Sequence, residues 1–253
     1  QDDNGQGTGR ESHRDAWQAF GRSFEKHSVK KREIMKILGI DCTTKFTNVA
    51  AASDGAVLAE VSLELGRKQS SLLPLIVERV LSESSMKLSE LELIAAANGP
   101  GYYTGIRTGI AYSAALAKGL GINILPVSSL ETFVHDLRTA GIPLAPIIKA
   151  RQNCIYCALY FSDGRELKPF VYPKFCTAAE FADFLTLYPE TLLVGDDVAL
   201  FKEFSILPNN VLPRGTGRPG QTALIGEYQK HLSIPPEMIQ GAYLREPDIG
   251  PTS

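Results

Sequence analysis

No stretch of this 253-residue chain approaches the roughly 18 consecutive apolar residues that a membrane-spanning helix requires, and its first residues lack the apolar core of a secretion signal. A cytoplasmic protein without a membrane partner is expected. An excess of one charge is missing too. Lys and Arg number 26 against 28 Asp and Glu, a formal net charge of −2, so no global basic field can hold a nucleic acid by phosphate neutralisation alone. Any tRNA would have to be held within a complex that supplies charge. The four cysteines, Cys42, Cys154, Cys157 and Cys176, are too few and too scattered for a disulfide framework. Cys154 and Cys157 have CxxC spacing, but they fall in an apolar run that reads as a strand, where positions three apart point to opposite faces. Buried free thiols are expected. The histidines are His13, His27, His135 and His231, isolated from one another and read as surface or partly packed residues. No HExxH motif, GxSxG elbow or carboxylate pair occurs. No catalytic residue, metal site or resident cofactor is therefore expected.

What is there is an ordinary globular composition, 44% hydrophobic and 21% charged, enough for two domains of roughly 100 residues or one large one. Residues 1–34 stand apart as a polar, charge-mixed extension that is expected to be flexible. They hold Trp17, Phe20 and Phe24 as their only large apolar side chains and end in the basic cluster Lys30-Lys31-Arg32. One short amphipathic helix, residues 16–27, is the most they support. Met35 then opens a clean strand and reads as the start of the folded part.

From there the pattern predicts strands at 36–42, 47–53 and 56–64, with Asp54-Gly55 as a two-residue hairpin turn. A helix at 70–84, a strand at 91–98, a helix at 104–120, a strand at 122–126 and a helix at 128–139 follow. Three antiparallel strands followed by alternating helix and strand is the order of the ribonuclease H-like unit, the half-domain of the actin, sugar-kinase and chaperone ATPase fold. A second segment repeats the grammar: strands at 143–149, 154–161 and 168–172, a helix at 178–187, a strand at 191–195 and a helix near 198–204. One more helix, 221–232, is expected in a proline- and glycine-rich tail. The expected fold is thus α/β with two ribonuclease H-like lobes, 35–140 and 141–253, the second including the tail.

The segment from Asn98 to Gly109, NGPGYYTGIRTG, joins a buried strand to a small-residue helix. Its glycines, Gly99 and Gly101 among them, free the backbone for close approach, and the helix start offers unpaired N–H groups, which is the geometry of a phosphate cradle. Asp41-Cys42-Thr43-Thr44, at the end of the first strand, resembles the first phosphate loop of the actin-like superfamily, in which an aspartate addresses a metal and hydroxyls and backbone N–H groups face a phosphate. The glycine that usually follows such an aspartate is absent. Val194-Gly-Asp-Asp197 sets two carboxylates where a phosphate would be repelled. Gly215-Thr-Gly-Arg-Pro-Gly220 matches GxGxxG, but residues 209–214 do not read as a strand and Pro219 interrupts, so a plain loop is expected.

Two helices suggest either a second surface for a partner or packing on each other and on their own sheet. Along residues 72–81 the apolar side chains cover an arc of about 180°, wider than the roughly 100° stripe one buried face needs. The next helix is lined with small residues from Gly105 to Ala117, which let backbones approach closely.

Taken with Asp41-Cys-Thr-Thr44, Gln69-Ser-Ser-Leu-Leu-Pro74, Gly99-Pro-Gly-Tyr-Tyr-Thr-Gly-Ile-Arg107, Val127-Ser-Ser-Leu-Glu131 and Tyr243-Leu-Arg245, in that order, residues 35–245 resemble the TsaB (YeaZ) family. The resemblance is specific in the first half and weak in the second. It implies an actin-like fold and a non-catalytic dimerisation subunit in the synthesis of N6-threonylcarbamoyladenosine next to the tRNA anticodon. The implied partners are the catalytic TsaD, which holds its metal through two histidines on one helix face, and the ATPase TsaE. The two helices would dock TsaD or a second copy of the chain, which makes Leu72, Leu73, Ile76, Arg79, Val80, Thr104, Arg107, Ile110, Ala114 and Ala117 the candidate interface. Asp41, Thr43, Thr44, Gly99 and Gly101 would form a degenerate phosphate loop. The alternative is an ATP-dependent kinase or phosphohydrolase using Asp41, Thr43 and Thr44. The chain departs from the family at Gln69-Ser70-Ser71, where His-Ser-Glu is common, and at Tyr102-Tyr103, where Ser-Phe is common.

Overall fold

The computed structural model describes residues 35–164, 166–196, 198, 199, 201 and 210–245. The expected helix at 16–27, the basic cluster at 30–32, most of the expected helix at 198–204, Asp197 and residues 246–253 lie outside the described residues.

Three strands open the fold: β1 (Lys36–Asp41), β2 (Phe46–Ser53) and β3 (Ala56–Glu64). Asp54 and Gly55 turn β2 into β3 with φ of 53° and 75°, the doubly positive pair that a right-twisted hairpin favours. Helix α1 (Gln69–Glu83), β4 (Leu93–Gly99), α2 (Tyr103–Leu120), β5 (Asn123–Ser128) and the short α3 (Ser129–Val134) follow. The strands form one sheet in the order β3-β2-β1-β4-β5, with β1, β4 and β5 parallel and β2 and β3 antiparallel. That is the ribonuclease H-like order read from the sequence.

The second sheet repeats it. Strands β6 (Leu144–Arg151), β7 (Cys154–Ser162) and β8 (Leu167–Thr177), helix α4 (Ala178–Leu185), and strands β9 (Leu192–Gly195) and β10 (Val211–Pro213) give the order β10-β9-β6-β7-β8. The fold is thus α/β with two ribonuclease H-like lobes, the second sheet duplicating the strand order of the first. Two expectations are corrected here. Strand β8 runs on past Tyr172 to Thr177, because its backbone keeps pairing with β7 as far as Cys154 opposite Thr177. Residues 211–213 are a strand after all, parallel to β9, too short to show a period.

The last helix, α5 (Pro219–Gln229), follows β10 in the chain but packs on the first sheet. Its Ala223 and Ile225 share a buried cluster with Ile37, Ala50, Ala52, Ala95 and Leu125. Helices α1 and α2 cover the opposite face through Leu38, Ile40, Val49, Ala51, Ile94 and Ala96. Burial on both faces explains why β2 reads as an unbroken run of small apolar residues rather than an alternating one. Helix α3 crosses the other way: Leu130, Phe133 and Val134 pack with Leu144, Ile148, Tyr156 and Ala158 of the second sheet. Each lobe thus sends its last helix to the other lobe's sheet. The first-lobe helix expected at 128–139 ends at Val134 and continues as a 3₁₀ turn, His135–Leu137. Among the described residues no helix is long and apolar enough to cross a membrane.

Candidate functional site

Asp41 ends β1 in the crevice where the two lobes meet, only 2% exposed. One carboxylate oxygen accepts the Thr43 N–H at 2.8 Å and the Thr43 hydroxyl at 2.6 Å. The other faces the Thr132 hydroxyl of α3 at 3.4 Å. Burial raises the Asp41 carboxyl above its ordinary value, against the bonds from Thr43 and Thr132. Thr43 and Thr44 are buried as well. All three candidate phosphate-loop side chains are thus brought together, and they are turned toward one another and the neighbouring elements.

The glycine loop closes on the same turn from the other side. A Cβ at Gly101 would collide with the Thr43 carbonyl, and one at Gly105 with the Cys42 carbonyl; both positions demand glycine for close approach. The Tyr102 N–H donates to the Thr43 carbonyl at 2.7 Å. Gly99, with φ of 114°, sets the entry to the loop. Gln69, 7% exposed, places its amide nitrogen 3.1 Å from the Thr44 carbonyl, 3.2 Å from that of Phe46 and 3.4 Å from that of Cys42. The glycines therefore serve packing of backbone on backbone.

The third side of the crevice is the GxGxxG segment. It joins a strand to a helix, β10 to α5, with Pro219 in the first turn of that helix. Its geometry nevertheless points inward. The Thr216 hydroxyl accepts from the Asn48 amide at 2.7 Å and lies 3.4 Å from the Thr44 hydroxyl. A Cβ at Gly217 would strike the Thr132 hydroxyl. At the start of α5, where a phosphate would take the free N–H groups, Gly220 N–H instead donates to the Glu60 carboxylate at 3.0 Å. The carboxylate of Asp196 accepts the Lys149 N–H at 2.7 Å. The aspartate is thus engaged, the glycine faces are covered and the helix start holds a carboxylate. Among the described residues no group of three or more His, Cys, Asp or Glu side chains could hold a metal ion.

The two helices divide their candidate interface residues. Leu73, Val80 and Ala117 are fully buried and Ile76 is 6% exposed. They hold the helices on the sheet and cannot meet a partner without repacking it, which corrects the reading of the wide apolar arc as two surfaces. Leu72, Ile110 and Ala114 are half-buried against that core, and Arg79, Thr104 and Arg107 are exposed. Leu75, left outside the arc, is 59% exposed. On α2 the exposed positions Thr104, Arg107, Ala111, Ala115 and Lys118 follow a helical spacing of three and four. At its N-terminal end Tyr103 packs against Tyr243, with ring centroids 5.1 Å apart, and the Arg107 guanidinium stands over Tyr103 at 5.3 Å.

Sequence reasoning missed several members of these sites. Asn48 is the cross-strand partner of Asp41 in β1 and β2, whereas Thr132 meets the Asp41 carboxylate and Glu60 the Gly220 N–H only because α3 and α5 cross between the lobes. His135 is a correction: it is 2% exposed, with Nδ1 2.7 Å from the Gln221 side-chain oxygen, and burial pushes its imidazole down to about 4. A buried histidine between crossing helices carries no local signature.

Residues 57–212, more than half of the chain, match the family model of TsaD, tRNA N6-adenosine threonylcarbamoyltransferase. The tRNA threonylcarbamoyladenosine biosynthesis protein TsaB of Bacillus subtilis is 30% identical over 205 residues, which is 81% of this chain and 85% of that one. The TsaB protein of Escherichia coli is 32% identical over 131 residues, 51% of this chain and 56% of that one. Among solved structures, YeaZ from Pseudomonas aeruginosa superposes with a TM-score of 0.71 at 21% identity, covering 83% of this chain and 100% of that one, a likeness of fold. Sequence relatives and motif series agree, and the chain belongs to the TsaB (YeaZ) family.

Proposed function

We propose that this protein acts in the biosynthesis of N6-threonylcarbamoyladenosine in tRNA as a non-catalytic subunit. In this reading it docks a TsaD-type transferase through the outer faces of α1 and α2, supports a TsaE-type partner and works in the cytoplasm. It contacts tRNA only within that complex, and a homodimer through the same surface competes with the TsaD pair. The relatives' names supply the pathway. The observation that carries the docking role is exposure on both helices among the described residues: Leu75 of α1 is 59% exposed, and α2 exposes the small residues Ala111 and Ala115. A leucine and small side chains in the open allow another helix pair to approach closely. The engaged Asp41 carboxylate and the covered faces of Gly101 and Gly105 support the non-catalytic part.

The test is co-purification with the TsaD homologue of the same organism. Wild type should form a heterodimer, and Ala115→Glu or Leu75→Glu should lose it while keeping the unfolding midpoint, because an unpaired charge would be buried only in the complex. Undiminished pairing of both variants would sink the assigned surface. The competing kinase or phosphohydrolase reading is tested by calorimetry with ATP and magnesium. No detectable heat is expected, whereas tight binding lost on Asp41→Ala would replace the present reading.

A further inference from the structure

Away from both the Asp41 crevice and the outer helix faces lies a cavity of about 340 Å³. Its floor is α3 and the end of β5, its back is β7, one wall is the β7–β8 hairpin and the other is the end of α5 with the turn that follows. The volume is at the lower end for small-molecule sites, and at about 30 Å³ per water it equals roughly ten waters. Glu131 reaches into it from the first turn of α3. This side chain is 8% exposed, and one of its oxygens accepts the Gln229 amide at 2.7 Å; its second oxygen has no hydrogen-bond partner among the described residues. Glu166 of the hairpin adds a second carboxylate to the lining. Neither carboxylate is ion-paired with a cation of the described residues. Tyr160, 3% exposed, brings its phenol to the same wall, and burial together with the Glu131 charge keeps that phenol protonated.

Such a buried carboxyl is an arrangement in search of a counter-charge. Burial raises Glu131 from 4.5 to about 7, the Gln229 bond opposing and the Glu166 carboxylate adding. The polar groups lining the cavity with it are Glu166 from the hairpin, Ser128 from β5, Tyr160 from β7, Tyr172 from β8, and Gln229 and His231 from the end of α5 and its turn. Among the described lining residues the only basic one is the exposed His231. An anion would meet two carboxylates. A bare divalent metal would find two carboxylates where it prefers six or more oxygens. The remaining lining, Leu167, Pro169, Pro173 and Leu232, is apolar and suits a hydrocarbon body.

We propose that this cavity binds a small organic cation, with a primary ammonium head between Glu131 and Glu166 and a short aliphatic tail along Leu167, Pro169 and Leu232. The Tyr160 phenol is a further positioning group that borders the head. Binding draws Glu131 into its ionised form, so a proton leaves as the cation enters. This site is separate from the docking face and stands or falls independently of it.

Isothermal titration of the full chain with n-butylamine hydrochloride at pH 7, run in phosphate and again in MOPS, tests the proposal, with n-butanol as the uncharged control. Saturable binding of butylammonium and none of butanol is expected. The heat should differ between the two buffers by the ionisation of the released proton. Glu131→Gln should weaken binding about tenfold or more, the scale of a lost charge-assisted hydrogen bond, and should abolish the buffer dependence. Glu166→Gln, on an exposed hairpin residue, should weaken it severalfold, and it provides the test should the buried variant fail to fold. No saturable heat with butylammonium, equal binding of butanol, or unchanged affinity in a folded Glu131→Gln or in Glu166→Gln would each overturn the assignment.

Discussion

The Arg214 guanidinium forks onto the Asp136 carboxylate, with its two terminal nitrogens 2.8 and 3.1 Å from the two oxygens. The nearer nitrogen also donates to the Phe133 carbonyl at 2.6 Å. Arg214 leaves the second sheet at the end of β10, and Asp136 belongs to the turn that ends α3. The pair therefore pins the two crossing segments where they pass each other. Both side chains are mostly buried, 14% and 16% exposed.

A partly buried, bidentate pair is costly to break from one side, because the remaining charge stays desolvated. Arg214→Ala should lower stability by about 3 kcal/mol, near the lower end for one-sided loss of a buried pair. Arg218 also reaches Asp136, at 3.1 Å, but from a side chain 67% exposed, and it offsets only part. Arg214→Lys keeps the charge and loses the fork, so an intermediate loss is expected. Urea unfolding checks both; an Arg214→Ala midpoint equal to wild type would mean that the pinning is not energetic.

Two glycines of α2 separate packing from propensity. Gly105 faces the Cys42 carbonyl with no room for a methyl group, whereas Gly119 has nothing within 4 Å of an added Cβ. Gly119→Ala should stabilise the chain by roughly 0.5–1 kcal/mol through helix propensity. Gly105→Ala must push β1's end away from α2, and overpacking of this kind costs roughly 1–3 kcal/mol or more. Thermal unfolding of the two variants should move in opposite directions. A shift of the same sign in both would contradict the close approach of α2 to the Asp41 turn.

The contrast also explains what the sequence could reveal. Strands β1 to β5 and helices α1 and α2 announce themselves because each has a local period, a turn pair such as Asp54-Gly55 or a glycine punctuation. The destination of α5 does not, since residues 219–229 look the same whichever sheet they cover. The role of the glycine loop was legible only by its neighbours: Gly101 and Gly105 meet carbonyls of residues about sixty positions earlier in the chain. Burial divided the candidate interface for the same reason. Hydrophobicity marks Leu73 and Leu75 alike, and only the position of the sheet decides that the first is core and the second surface.

The thiols offer a test of strand pairing in the second lobe. Sγ of Cys157 and Sγ of Cys176 lie 3.3 Å apart across β7 and β8. The hydrogen bond from Cys157 holds the half-exposed Cys176 thiol below its ordinary value, with Lys174 adding to the effect. Cys157 is pushed up by the same bond and by burial, and burial with the Asp41 charge pushes Cys42 up to about 12. The thiolate is the reactive form, so brief iodoacetamide treatment at pH 8 followed by peptide mapping should label Cys176 well before Cys157 or Cys42. Equal labelling of Cys157 would mean that β7 and β8 part readily.

Buried Glu131 and His135 should impose opposite pH dependences on stability. Glu131 is raised from 4.5 to about 7 by burial, so the folded state binds its proton more tightly than the unfolded chain. Its contribution is fully present below pH 4.5 and is lost as pH rises to about 7. His135 is lowered from 6.5 to about 4 by burial, so its contribution is present above pH 6.5 and is lost as pH falls toward 4. Each shift corresponds to about 3 kcal/mol. Asp41 has the same sign as Glu131, but it cancels when variants are compared with wild type at each pH. Glu131→Gln keeps a partner for Gln229 and removes the first slope, so it should gain on wild type as pH rises from 4.5 to 7. His135→Asn places an amide donor near the Gln221 oxygen and should gain on wild type as pH falls from 6.5 to 4. Between pH 4.5 and 6.5 the two slopes oppose each other in the wild-type chain, and each single variant exposes the other. Denaturant unfolding at pH 4.5, 5.5, 6.5 and 7.5 reads all three proteins; parallel curves for wild type and Glu131→Gln would mean that the Glu131 carboxyl titrates as if it were in water.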